Sequence, residues 1–254
     1  MQIFLSAPQR WQHPKHSGEQ LDEYRRLIEQ SGITPTYAHA AYLVNLAAGD
    51  AGIRERSIEN LVATASYAER AGLAGLVVHI GSARGQSVED AEVQVASALE
   101  QVLARGTTTR ILVENSAGSG ELLGSRFQQI GDILERLGRD PRLGLCMDTA
   151  HTFASGYDLR TQDGTQHAID EISEFIGIDR LRLIHANDSK VGLNSYVDRH
   201  ENIGKGQIGA EAFAHLLAHP VLKHVAWVLE VPGFDDKGPD KPNLDELKRL
   251  AGRG

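Results

Sequence analysis

Short apolar runs alternate with longer amphipathic stretches along the whole sequence. Strands are predicted near 2–5, 35–38, 74–79, 109–114, 142–147, 181–187 and 225–230. The runs LAGLVVHI and RILVEN are brief, apolar and rich in β-branched residues, as parallel strands covered on both faces should be. Helices are predicted over 17–31, 51–72, 87–105, 124–138, 164–177, 208–218 and 243–251. In 51–72, Ile58, Leu61, Val62, Ala65 and Ala68 mark one amphipathic face. Ser87 with Asp90 is a start signal for the third helix, and Gly72, Gly106 and Gly138 stand where C-cap glycines belong. Strand followed by helix, repeated, implies a parallel sheet, and seven such repeats favour a closed β/α barrel over an open sheet. No G-x-G-x-x-G or Walker-A run follows any strand, which argues against a nucleotide fold. No linker interrupts the order, so residues 1–254 read as one domain.

Composition narrows this only a little. A chain of 254 residues suits a single α/β barrel, and its 41% hydrophobic and 24% charged residues are ordinary for a globular protein. No run is long and apolar enough to span a membrane, and the N-terminus MQIFLSAPQRWQ lacks a signal-peptide pattern. The single cysteine, Cys146, fits a reducing compartment, so a cytoplasmic location is expected, and its apolar strand makes it a packing residue. The net charge of −8 argues against nucleic-acid binding over the whole surface. A local basic groove, or a metal site that brings its own positive charge, remains open.

The strand ends carry the chemistry. In a β/α barrel the active site is built at the C-terminal ends of the strands. Six of the seven predicted ends hold a histidine or carboxylate: His39, His79, Glu114, Asp148, His185 and Glu230. Two local pairs add to them, Asp148 with His151 and Asp198 with His200, the latter two apart and so facing one way in an extended segment. Convergent carboxylates need compensation, which divalent cations provide. Five histidines, two aspartates and two glutamates, without thiolate, suit zinc, manganese or iron better than magnesium or calcium. Nine ligands exceed one tetrahedral ion and suit two or three, an arrangement typical of phosphoester hydrolysis. The other histidines, His13, His16, His167, His215, His219 and His224, are expected to be solvated, and no nucleophile elbow or Cys–His pair is present.

At this point the motifs become specific. LVVHIGS, LVENSAGSGELLG, LCMDTAHTFASGYDLR, LIHANDSK, SYVDRHENIGKGQIG and VLEVPG follow one another in order. From about residue 2 to 250 the sequence resembles the endonuclease IV family of apurinic/apyrimidinic DNA-repair enzymes. The resemblance implies a (β/α)8 TIM barrel holding three zinc ions, with manganese or iron as substitutes. His39, His79 and Glu114 would hold one. Glu114 would bridge to a second, held also by Asp148, His185 and Glu230. His151, Asp198 and His200 would hold the third. Glu114 and Glu230 would be the catalytic carboxylates. Tyr42 matches the tyrosine that wedges into the duplex at the lesion, with Leu43 after it. Arg10 lies one position later than the arginine of the family's N-P-R-x-W segment, because Gln9 follows Pro8, and Ala40 stands where the family has Asp. Lys190, Arg199 and Lys205 lie on loops at the same mouth and, with Arg10, could neutralise phosphates.

Family members carry one further strand and helix, with a Gly-rich loop, before the QIF strand. The expected fold is therefore a barrel lacking the first βα unit in this chain. Such a remnant would expose strand edges, which a dimer would cover; a closed barrel would be a monomer. The implied activity is hydrolysis of double-stranded DNA 5′ to abasic sites, leaving a 3′-hydroxyl and a 5′-deoxyribose phosphate. Two alternatives remain: a metal-dependent sugar isomerase or epimerase on the same barrel, and a non-catalytic lesion-binding remnant.

Overall fold

The computed structural model describes residues 1–253, which fall into two compact units: Met1–Glu114 with Gly131–Gly144, and Asn115–Ile130 with the described residues from Leu145 onward. In the first unit the order is β1 (Gln2–Phe4), α1 (Gly18–Ser31), β2 (Tyr37–His39), α2 (Ala51–Arg70), β3 (Gly75–Val78), α3 (Val88–Ala104) and β4 (Ile111–Glu114). The four strands pair in parallel in chain order, with His39 opposite Phe4 on one side and Val77 on the other. β2 starts two residues later than its sequence suggests, because Pro35 has no N–H to give a ladder. Leu76, Val77, Val78, Ile111, Leu112 and Val113 are wholly buried, which explains why these two strands read as unbroken apolar runs. β1 is only half-buried and ends on an exposed Phe4.

The helix signals act as expected. Ser17 and Gln20 form a reciprocal capping box at α1, Asp50 caps α2, and Ser87 accepts the Asp90 N–H at 3.0 Å to start α3. Gly72, Gly106 and Gly138 all take left-handed backbone after helices. The buried face of α2 differs from its apolar pattern: Ser57, Asn60 and Thr64 join Ile58, Leu61, Ala65 and Ala68 there, while Val62 is half-exposed. After α4 (Phe127–Arg136), Arg142 donates to the Leu103 and Thr107 carbonyls at 3.0 Å and anchors the approach to β5 (Leu143–Asp148).

The second unit holds β6 (Leu181–Ala186) between β5 and β9 (Ala226–Leu229), all parallel. Around them come α5 (Thr149–Ala154), α6 (Gln162–Glu171), α7 (Ala210–Ala218) and α8 (Lys241–Leu250). The predicted stretch 164–177 is α6 continued as one wide turn over Ile172–Ile176. Two features are additional to the sequence reading: the six-residue α5, and a two-residue antiparallel ladder of β7 (Asp188–Ser189) with β8 (His200–Glu201). Cys146 is buried, as expected of a packing residue. His16 and His215 correct the expectation of solvated histidines: each is partly buried and donates from Nε2 to a backbone carbonyl, Leu5 at 2.8 Å and Leu159 at 3.0 Å. Among the described residues no helix is long and apolar enough to cross a membrane.

Gly81 follows His79 and fixes the loop after β3. Its φ is +100°, and a Cβ there would lie 1.9 Å from Asn45 Oδ1 and 2.9 Å from Asn45 Cα. Gly85 also has positive φ (+77°) but nothing within 4 Å of its would-be Cβ. Gly81→Ala is therefore expected to cost about 2–4 kcal/mol and Gly85→Ala about 1 kcal/mol. Melting curves of the two variants check this, with the Gly81 variant melting lower by roughly 5–10 °C.

Candidate metal centre

In the first unit three strand ends bring their side chains together. His39 closes β2, Glu114 closes β4, and His79 follows the last residue of β3. His39 Nε2 lies 3.0 Å and His79 Nε2 3.4 Å from the same oxygen, Glu114 Oε2. His39 and Glu114 are buried, while the His79 side chain is 32% exposed, so the cluster opens to solvent on the His79 side. His39 Nδ1 donates to the Ala40 carbonyl at 2.7 Å, which leaves Nε2 facing the carboxylate.

The second unit repeats this on a larger scale. Asp148 ends β5 and caps α5, its Oδ1 accepting the His151 N–H at 2.8 Å. That turn carries His151 back toward the strand end. One donor atom each from Asp148, His151 and His200 lie within 4.8 Å of one another, and so do one each from Asp148, His185 and Glu230. Asp198 reaches both His151 Nε2 and His200 Nε2 at 3.2 Å. His185 Nδ1 lies 3.1 Å from Glu230 Oε2 and 4.0 Å from Asp148 Oδ2. His151 Nδ1 donates to the Asn115 carbonyl (3.0 Å) and His200 Nδ1 to the Glu230 carbonyl (3.3 Å), so both Nε2 atoms again point at carboxylates.

These donor sets fit a divalent cation. An imidazole whose Nδ1–H is given to a carbonyl presents a lone pair at Nε2, and a lone pair facing a carboxylate oxygen is repulsive unless a proton or a cation lies between them. Ligand bonds of about 2.0–2.1 Å at tetrahedral angles put donor atoms about 3.3 Å apart. The imidazole-to-carboxylate distances of 3.0, 3.4, 3.2 and 3.2 Å fall at that spacing. Without a cation the proton takes its place. Burial disfavours the charged His200, but Asp148 and a hydrogen bond to Asp198 outweigh it and raise its pKa to about 9. Partial burial likewise opposes the Asp198 carboxylate, yet hydrogen bonds from His151 and His200 hold its pKa well below the usual range.

A family model described as the xylose isomerase-like TIM barrel matches residues 1–251. A protein named probable endonuclease 4 from Chloroflexus aggregans is 38% identical over 99% of this chain and 88% of its own length. The chain belongs to the endonuclease IV family. A relative of the same name from Streptomyces avermitilis is 36% identical over 98% of this chain and 81% of its own. The crystal structure of endonuclease IV from Thermus thermophilus superposes with a TM-score of 0.85 at 32% identity, over 100% of this chain and 89% of that one. A D-tagatose 3-epimerase-like protein superposes at 0.70 with 18% identity, a likeness of fold alone.

The residues expected from the sequence to meet DNA are exposed. Tyr42 is 55% exposed, its ring edge-on to Phe4 (5.3 Å) and to His39 (5.8 Å), and its N–H donates to the Pro8 carbonyl at 2.9 Å. Leu43 and Arg10 are exposed on the same two loops. Lys190, Arg199 and Lys205 are exposed too, with Lys190 3.7 Å from Glu201.

Sequence reasoning overlooked the side chains that hold the candidate ligands in place. Asn115 accepts the Asp148 N–H at 2.7 Å and donates to Thr152 Oγ1 at 3.1 Å. Asn187 donates to Asp148 Oδ2 at 2.6 Å and accepts the Glu230 N–H at 3.0 Å, so one amide ties the Asp148 carboxylate to the Glu230 backbone. Asp188, wholly buried, accepts the N–H groups of Gly206 and Ile208 at 2.9 Å and shapes the loop that follows His200. Their only sequence signal is adjacency, Asn115 to Glu114 and Asn187–Asp188 to His185. Asn187→Ala should lower affinity for a divalent cation by roughly 10–100-fold while every ligand remains. Chelator competition followed by elemental analysis reads this directly.

Proposed function

We propose that this chain is a zinc-dependent endonuclease that hydrolyses the phosphodiester 5′ to abasic sites in double-stranded DNA, leaving a 3′-hydroxyl and a 5′-deoxyribose phosphate. The observation that carries the reading is the set of imidazoles fixed at Nδ1 by backbone carbonyls, with Nε2 turned to carboxylates. Such sets, in a chain related over its full length to endonuclease 4 proteins, suit phosphodiester hydrolysis. Three zinc ions are proposed, with manganese or iron able to substitute: one on His39, His79 and Glu114, one involving Asp148, His185 and Glu230, and one on His151, Asp198 and His200.

Bound divalent cations would supply an acidified water and positive charge for the phosphate. Glu230 would accept a proton from an attacking water, a role its side chain's 23% exposure supports. Glu114, fully buried between His39 and His79, is the second catalytic carboxylate of this reading as well as a ligand of the first ion. The half-exposed Asp198 and the partly open His200 face the solvent side, where a departing 3′-oxygen would be accommodated. Arg10, Lys190, Arg199 and Lys205 meet flanking phosphates, and Tyr42 with Leu43 fills the gap left at the lesion. An abasic nucleotide has no base to unstack, so it leaves the helix cheaply. A sugar-epimerase reading rests on fold likeness alone.

Incision of a duplex carrying one tetrahydrofuran site, with and without chelator, tests the reading. Cutting 5′ to the site that is lost with chelator and restored by zinc is expected; persistence in chelator would overturn it. Glu114→Gln should lose incision by orders of magnitude yet still bind the duplex, and near-normal turnover of the metal-loaded variant would remove Glu114 from the site. Tyr42→Ala should weaken binding to abasic duplex by roughly 5–150-fold, the equivalent of about 1–3 kcal/mol of stacking, with metal content unchanged. If Tyr42 only packs against Phe4 and His39, affinity measured well below the melting temperature will instead stay within about twofold.

A further inference from the structure

Tyr42 and Leu43 are the two central residues of a turn, closed by the Val44 N–H on the Ala41 carbonyl at 3.1 Å. The tip is exposed, 55% at Tyr42, but its shoulders Ala41 and Val44 are buried. The residues just beyond it are tied down on two sides. Toward α2, the Asn45 N–H donates to Ser57 Oγ at 3.0 Å. Toward the loop after β3, Asn45 Oδ1 accepts the Ser82 N–H at 3.2 Å, and the Ala47 N–H donates to the Ile80 carbonyl at 3.1 Å. Gln86 closes the contact, its Nε2 donating to the Ala47 and Ala83 carbonyls, both at 3.0 Å. Gln94 donates to Gln86 Oε1 and so fixes which way that amide faces. Ile80, Ser82, Ala83 and Gln86 all lie in the loop that starts at His79.

Asn45 is the centre of this arrangement. Its amide lies against the Gly81 backbone so closely that a Cβ on Gly81 would fall 1.9 Å from Oδ1. Only a residue without a side chain admits that approach. A ring that enters a duplex gains most when it is already presented in one orientation, because a swinging turn must be ordered at each binding event. We propose that Asn45 is a positioning residue for lesion recognition: its amide, seated on Gly81 and Ser82, fixes the Tyr42–Leu43 tip relative to the loop that carries His79. Gln86 secures the same contact through the Ala47 carbonyl. The tip and the first cation cluster are then held in one register, so that the wedge and the phosphate are met together. The proposal rests on the abasic-site endonuclease reading and adds to it two residues that contact neither DNA nor cation.

A double-mutant cycle tests this, read as the affinity of the zinc-loaded full chain well below its melting temperature. The probe is a duplex carrying one tetrahydrofuran site next to an uncleavable phosphonate linkage; the same duplex without the lesion is the control. Asn45→Ala should weaken binding to the lesion duplex by roughly 3–30-fold and leave the control within about twofold, with zinc content unchanged. In a chain whose tip is already trimmed, Tyr42→Ala with Leu43→Ala, the same Asn45→Ala should change lesion binding by less than about twofold. Asn45→Asp, which keeps the acceptor for Ser82 N–H, should restore most of the loss. An equal loss on both duplexes, an undiminished loss in the trimmed chain, or a loss that follows lost zinc overturns the proposal, because a general structural role would produce each of them. An Asp variant as weak as the Ala variant overturns it too. Should Asn45→Ala not fold, Gln86→Glu, which removes the donor to the Ala47 carbonyl, is put through the same cycle, and binding at parental strength overturns the proposal. Trimming the tip separates the two readings. If trimming weakens lesion binding but Asn45→Ala does not, only this proposal falls. If the parent binds lesion and control duplexes equally, the abasic-site reading falls, and the proposal with it.

Discussion

Imidazoles held against carboxylates are the constraint to which the rest of the molecule answers. His39 and His79 meet Glu114 at 3.0 and 3.4 Å in one unit, and Asp198 meets His151 and His200 at 3.2 Å in the other. Three of these rings give their Nδ1–H to backbone carbonyls and so cannot turn away from the carboxylates. Each pair then requires a positive charge between its members, either a proton or a metal ion. The rise of the His200 pKa to about 9 expresses that requirement in the absence of a cation.

Holding such pairs in place takes rigid supports, and the fold supplies them at strand ends. β3 and β4 are buried on both faces, so their ends have little freedom to move. In the second unit the supports are polar. Asn115 and Asn187 fix Asp148 from two directions, and Asn187 also fixes the Glu230 backbone. Asp188 gathers the backbone N–H groups of Gly206, Ile208 and Gly209 and so sets the loop after His200. These buried polar groups are worth their desolvation only while every one of them is paired. Burial also sets access: Glu114 and Asp148 are closed, whereas His79, Glu230 and Asp198 keep an open side for an incoming ligand.

The alternation of apolar runs and amphipathic stretches determined the β/α class by itself, and membership of the xylose isomerase-like TIM barrel family bears it out. β3 and β4 were legible because strands covered on both faces are built almost wholly of apolar residues. The caps were legible because Ser87 and the C-terminal glycines act through neighbours in the chain. The candidate ligands stood out as histidines and carboxylates at strand ends.

Tertiary structure decided what depends on distant partners. The ladder of Ser189 with His200 has only two residues on each side, too few for any periodic signal. α5 is six residues long and starts from Asp148, a residue whose other oxygen is tied to Asn187, 39 positions away. The polar members of α2's buried face, Asn60 among them, break the apolar pattern that located the helix. Which oxygen faces which nitrogen is set by chain crossings between 30 and 75 residues apart, as His39 with Glu114 and His200 with the Glu230 carbonyl illustrate. Local sequence can name the donors, because residue type carries the chemistry. Only the folded chain can aim them, because each ring is oriented by a backbone group or carboxylate that the sequence leaves far away.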